Sequence, residues 1–379
     1  MSENSDSFFK PNYTSGAFDL PIGVFINGVF PERSGQSFTI STTLGLLAFQ
    51  VSGEDFSQWQ VSRSSCFNTG LDFAVRFFNT NVCIISPSEK DSSSSLSPES
   101  VYSYDADLDK IMSSFECHSK PLKIFVIPKR IIVLTKTKIF SFNISTGLSA
   151  ECYAGKDFVD ADFVETSAEE QLIAFAENGK RELIVLREGL KHMVKSPFQN
   201  GGIHSVVFSP DSKNLLVVSD NLSQLVIYET QKFEESFRYS KYVGKVNKIF
   251  PSDSVYFWLF SSRVVLVYTA SKEFHLIDFG IDVKKAFFFS APLTFKFSTK
   301  KNLWTDALNP NRKPFIHSKI QYYDQSKNYL THLTLSIFHL DGTIYKLSYN
   351  PNERTCSPLE AKSNWIKVAE NSSDHFVMF

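Results

Sequence analysis

The 379 residues contain no Cys-x-x-Cys pair, no apolar run of bilayer length, no surplus of either charge and none of the short signatures that mark a catalytic centre. Each absence removes a class of function. Cys66, Cys83, Cys117, Cys152 and Cys356 are scattered singly and odd in number, which argues for buried free thiols and against a zinc site or a redox dithiol. The longest apolar stretch, 255–268, is broken by Arg263 and is too short to span a bilayer. The opening residues, MSENSDSFFKPNYTSG, carry no basic start followed by an apolar run, so no secretory leader is expected, and the chain is expected to be soluble and cytoplasmic. The Asn-x-Ser/Thr matches at Asn143 and Asn221 are then chance occurrences.

Lys and Arg number 39 against 40 Asp and Glu, so the net charge of -1 gives no general attraction to nucleic acid, and any anion site has to be local. Without a G-x-S-x-G, an H-E-x-x-H or a P-loop, no catalytic residues, no cofactor and no small-molecule substrate are expected. The eight histidines are dispersed and read as packed or surface residues rather than ligands. Asp105, Asp107, Asp109 and Glu116 match positions 1, 3, 5 and 12 of a calcium loop. Position 6, however, is Lys110 where the sharp turn needs glycine, and the flanks alternate as strands. A solvated turn between blades is the reading kept, and no metal is expected.

What the chain has in abundance is aromatic and apolar residues, 15% and 42%, with 37 Phe, in short alternating segments. Seven of these echo one another: 45–51 (GLLAFQV), 101–107, 138–144, 182–188, 224–230, 273–279 and 343–349 (TIYKLSY). Where they lie closest they recur after about 40 residues, the period of a four-stranded propeller blade. Apolar residues follow period two rather than 3.6, so the expectation is an all-β, seven-bladed β-propeller of the WD40-like type, each blade closing on its echo. Residues 1–17 read as a flexible tail, 18–352 as the propeller and 353–379 as a C-terminal extension. Within the propeller, 88–100 (rich in serine) reads first as a flexible loop and second as a segment open to phosphorylation, and 280–320 reads as a long connection between blades six and seven. Pro128 to Arg130, Asn178-Gly179 and Pro210-Asp211 are turn signals.

The segment after the fifth echo, 224–250, resembles the PROPPIN family of phosphoinositide-binding propellers that act in autophagy. The family's Phe-Arg-Arg-Gly corresponds here to Phe237, Arg238, Tyr239 and Ser240. Likeness extends over 40–51, 109–144, 203–219 and 338–351. The resemblance implies a headgroup-binding edge, because guanidinium grips phosphate bidentately. It assigns Arg238 to the first of two pockets, while Tyr239 removes the charge of the second. Ser219, Ser223, Thr269 and His275 are carried over as further phosphate contacts, whereas Val226 stands where a basic residue is expected and Glu273 would repel an anion. Lys241 and Lys245 add attraction to anionic membranes. Phe287, Phe288, Phe289 and Trp304, flanked by lysine pairs, are membrane-contact candidates, against the plainer reading that the three Phe form a buried strand. The resemblance implies phosphoinositide-containing membranes and autophagy proteins as partners, the latter on the outer faces of blades two and three. The rival is a diverged scaffold that works through protein contacts with little or no lipid binding.

Overall fold

The computed structural model describes residues 18–239 apart from 20–22, 32–36, 53–57, 68, 79, 89–95, 167–169, 179, 195–197, 199–200, 210 and 220–224, and beyond 239 the strands alone. Every regular element among them is a strand. Apart from one two-stranded pairing, the strands form antiparallel four-stranded sheets in plain meander order, each strand bonded to the next in sequence. Seven such sheets follow one another, and side chains are described for most of the first four, for the first three strands of the fifth and for the end of Ile344–Asn350.

The seven sequence echoes are the third strands: Gly45–Ser52, Ser100–Asp105, Lys138–Asn143, Leu183–Arg187, Leu225–Glu229, Glu273–Asp278 and Ile344–Asn350. They do not close their sheets. A fourth strand follows each, as in Lys110–Glu116, Ser149–Ala154 and Leu190–Val194. These outer strands are mostly exposed and have a neighbour on one side only, so no buried period marks them in the sequence. Two boundaries move as a result. Glu234–Tyr239, which follows the fifth echo and so fell beyond blade five, is the fourth strand of sheet five, and Leu293–Ser298 and the start of Phe315–Asp324 are strands within the supposed connection of 280–320. Thr355–Leu359 pairs with Ile344–Asn350, so the last sheet runs on past residue 352.

The inner sheets are held by separate apolar seams. Ile131 and Val133 pack with Phe73, Ile84 and Val101 of sheet two, while the intervening Ile132 and Leu134 pack with Phe158, Phe175 and Ile184 of sheet four. Leu183 and Val185 turn the other way, toward Val206, Val217 and Val226 of sheet five. Successive residues of one strand therefore bury against opposite neighbours, which is why these strands read as continuous apolar runs. First strands contact one another from sheet one through sheet six, and Ile26–Pro31 also lies against Phe315–Asp324 of the last sheet. Stacked meanders with their first strands innermost make a β-propeller. Near the two ends, Phe18–Asp19 and Ile366–Lys367 pair in parallel.

Candidate functional site

The fourth strand of sheet five, Glu234–Tyr239, carries the sequence-derived site. Register sets Arg238 opposite Val226 and Tyr239 opposite Leu225, with a bulge between Ile227 and Tyr228. Val226 is fully buried in the seam between sheets four and five, so the place where a basic residue was sought belongs to the core. Leu225–Glu229 is apolar on both faces because it is an interior strand, and a lysine or arginine at 226 would strand a charge there.

The turn that feeds this strand is pinned from sheet four. Arg187 donates from Nη2 to the carbonyls of Thr230 (2.6 Å) and Gln231 (3.2 Å). Its guanidinium also lies 5.4 Å from the centre of the Phe233 ring. Thr230 Oγ1 donates to the Ser212 carbonyl at 2.6 Å, and Phe233 N donates to the Glu229 carbonyl at 2.7 Å.

Of the other candidates, Ser219 ends the second strand of sheet five, opposite Ile203, and is fully buried. His275 lies in the third strand of sheet six, between Val267 and Lys296, with Glu273 opposite Ser298 in the same strand. Ser223, Ser240, Lys241, Lys245, Thr269, Phe287, Phe288, Phe289 and Trp304 lie outside the described residues. Strand order makes Glu234–Tyr239 the last strand of one sheet and gives His275 to the next.

The calcium-loop residues divide between two places. Asp105, Asp107 and Asp109 belong to the hairpin joining the third and fourth strands of sheet two, inside one sheet rather than between two. Asp105 Oδ1 accepts from Asp107 N (2.9 Å) and Leu108 N (3.2 Å), Asp107 pairs with Arg63 and Asn81, and Asp109 accepts from Tyr104. Glu116 stands at the far end of the following strand, about 20 Å along it from Asp109 at 3.3 Å per residue.

Sequence reasoning missed a polar network on the inner strands. Lys123 Nζ, on the first strand of sheet three, donates to Asp160 Oδ1 at 2.7 Å and to the Ala161 carbonyl. Asp160, on the first strand of sheet four, also accepts from Ser205 Oγ (2.6 Å) and Val206 N (3.0 Å) of sheet five. Asp162 accepts from Phe208 N at 2.7 Å. The two carboxylates thus satisfy the open edge of the next sheet's inner strand, where no further strand pairs. Burial pushes the Asp162 carboxyl up to about 6 even though Lys123 and the N–H groups of Phe208 and Phe163 pull it down. For Lys123, burial alone would lower the pKa, but the charges of Asp160 and Asp162 prevail and raise it. A similar contact joins sheet two to the approach of sheet three, where Lys120 Nζ lies 2.7 Å from Asp72 Oδ2. The signal was available: in FVDADFVE (158–165) both Asp fall at period two on one strand.

No family model matches the chain, and no curated protein does. Solved structures do. Hsv2 of Kluyveromyces marxianus superposes with a TM-score of 0.63 at 11% identity, covering 90% of this chain and 99% of that one. Kluyveromyces lactis Hsv2 with its complete loop 6CD gives 0.62 at 12% identity over the same shares. KlAtg21, solved as a complex with the coiled coil of AgAtg16, gives 0.60 at 10% identity, covering 89% of this chain and 99% of that one. Hsv2 and Atg21 are PROPPIN proteins, so this chain shares the fold of the family its sequence segments resemble.

Proposed function

We propose that this chain is a divergent PROPPIN, a propeller of seven blades recruited to membranes carrying phosphatidylinositol 3-phosphate or 3,5-bisphosphate, where it scaffolds autophagy proteins and catalyses no reaction. The observation that carries this reading is Arg238, matching the family's first arginine and falling in the outer strand of sheet five on a fold shared with Hsv2. A guanidinium at a sheet edge can give two parallel N–H donors to one phosphate. The protein would be cytoplasmic and peripheral on phagophore assembly sites or on vacuolar or endosomal membranes. Its protein partners would use the outer faces of sheets two and three. Exposed apolar side chains there, Leu108, Met112 and Leu148, support that assignment.

Sedimentation with liposomes tests the lipid reading. Wild type is expected to prefer vesicles containing either 3-phosphorylated lipid over neutral ones, and Arg238→Ala to lose about 1.5 kcal/mol, roughly tenfold in affinity. No preference in the wild type would overturn the reading, and equal binding by the variant would move the site elsewhere. The second reading, a scaffold acting through protein contacts alone, is favoured by Val226, whose burial removes one basic position from the edge.

A further inference from the structure

We infer that Ser97 is a phosphorylation site for kinases that require proline immediately after the acceptor serine. Five Ser-Pro pairs occur in the chain, at Ser86, Ser97, Ser196, Ser209 and Ser357. Side chains are described for three of these serines, and their surroundings differ sharply. Ser86 and Ser209 are 1% and 0% exposed, whereas Ser97 is exposed, with Pro98 half-buried beside it and Glu99 exposed after it. Ser86 sits within the second strand of sheet two, paired opposite Phe73, and its hydroxyl faces the Ser100 carbonyl at 3.4 Å. The Ser209 hydroxyl donates to Asp211 Oδ1 at 2.7 Å and accepts from Asn214 N at 2.9 Å. A kinase could reach either only by opening a sheet or its hairpin.

Ser97 lies in the connection leading to the third strand of sheet two. Its turn is closed by Ser100 N donating to the Ser97 carbonyl and Glu99 N donating to Ser97 Oγ, both at 3.2 Å, and is anchored by Ser97 N donating to the Tyr102 hydroxyl at 2.8 Å, all of which leave the Ser97 hydroxyl itself exposed. Opening this turn breaks these local hydrogen bonds but no strand pairing, since Ser97 precedes Ser100–Asp105. Pro98 lacks the backbone N–H that any other residue would present there, so a pocket built against that N–H selects Ser-Pro.

In the transfer, Ser97 Oγ bonds to the γ-phosphorus of ATP, the bond from that phosphorus to the β-phosphate oxygen breaks, ADP leaves, and the hydroxyl proton passes to the kinase's base. The product carries about 1.5 to 2 negative charges beside Glu99 and keeps an acceptor for Glu99 N, now charge-assisted. Glu99 also accepts from Cys117 N at 2.9 Å, so the modified turn is tied directly to the connection between sheets two and three. This inference is independent of any lipid binding.

The test treats the full chain with a proline-directed serine kinase and ATP and maps phosphate by peptide mass spectrometry. Short synthetic peptides spanning Ser86, Ser97 and Ser209 serve as controls. All three peptides should be modified, but in the folded chain the Ser97 peptide should gain phosphate while those of Ser86 and Ser209 do not. Ser97→Ala should abolish that signal, and Pro98→Ala, which retains the hydroxyl, should slow it markedly. Modification of Ser86 or Ser209 in the folded chain as fast as Ser97 would overturn the inference. So would an unmodified Ser97, or full-rate modification in Pro98→Ala.

Discussion

Asp160 and Asp162 stand two residues apart on one strand, yet removing their charges should have opposite effects. Asp160 accepts from Lys123, from the Ser205 hydroxyl and from Val206 N, so Asp160→Ala leaves three donors unmet in the seam. The expected cost is about 3–5 kcal/mol, read by urea denaturation near neutral pH. Asp162 is held at about 6, above its ordinary 3.8, because burial penalises its charge. The folded state therefore binds the Asp162 proton more tightly than the unfolded chain does. Stability from this group is greatest below the unfolded value, falls as pH rises between the two values, and stays lower above pH 6. Asp162→Asn keeps an oxygen for Phe208 N and carries no charge. It should gain about 1–2 kcal/mol at pH 7.5 after allowance for partial exposure, a gain that fades toward pH 4. A variant less stable than wild type at pH 7.5 would show that the Lys123 pairing outweighs burial. Neither role was read from the sequence, since isolated aspartates in an alternating strand look like a solvated face until the neighbouring sheet is placed against them.

At the level of elements, legibility followed burial. Third strands such as Leu183–Arg187 face two seams, and all seven stood out as short apolar or alternating segments. Outer strands such as Leu190–Val194 (LKHMV) have little to bury, and their existence follows from the turn before them rather than from any period of their own. That turn is Glu188-Gly189, with φ of 48° and 79°, between the paired residues Arg187 and Leu190, a two-residue hairpin of the type I′ class. A Cβ at Gly189 would meet nothing within 4 Å, so Gly189→Ala isolates the backbone cost of left-handed geometry. It should lower stability by about 1 kcal/mol in thermal or urea melts. A neutral outcome would mean that the hairpin relaxes without loss. The candidate site shows the same division. The strand around Arg238 was legible as an echo's sequel, but its pairing with Val226 was not, because register depends on a bulge that leaves no mark in the sequence.

For the whole molecule, the question is where the propeller ends. The sequence suggested a body to residue 352 and an appended segment after it, because nothing apolar and alternating follows Ile344–Asn350. The pairing of Thr355–Leu359 with that strand makes 355–359 part of the last sheet, with Cys356 opposite the fully buried Tyr349. A few residues on, Ile366–Lys367 pairs with Phe18–Asp19, tying the C-terminal part of the chain to a strand that precedes sheet one. A chain cut after residue 352 loses both pairings and leaves Ile344–Asn350 as an open sheet edge, prone to pairing with other molecules. It should melt about 5 °C or more below the full chain and aggregate on concentration, by calorimetry and light scattering. A chain cut after Lys367 retains both pairings and should melt close to the full chain. If the shorter cut were as stable as the longer one, the residues after 352 would be dispensable to the fold.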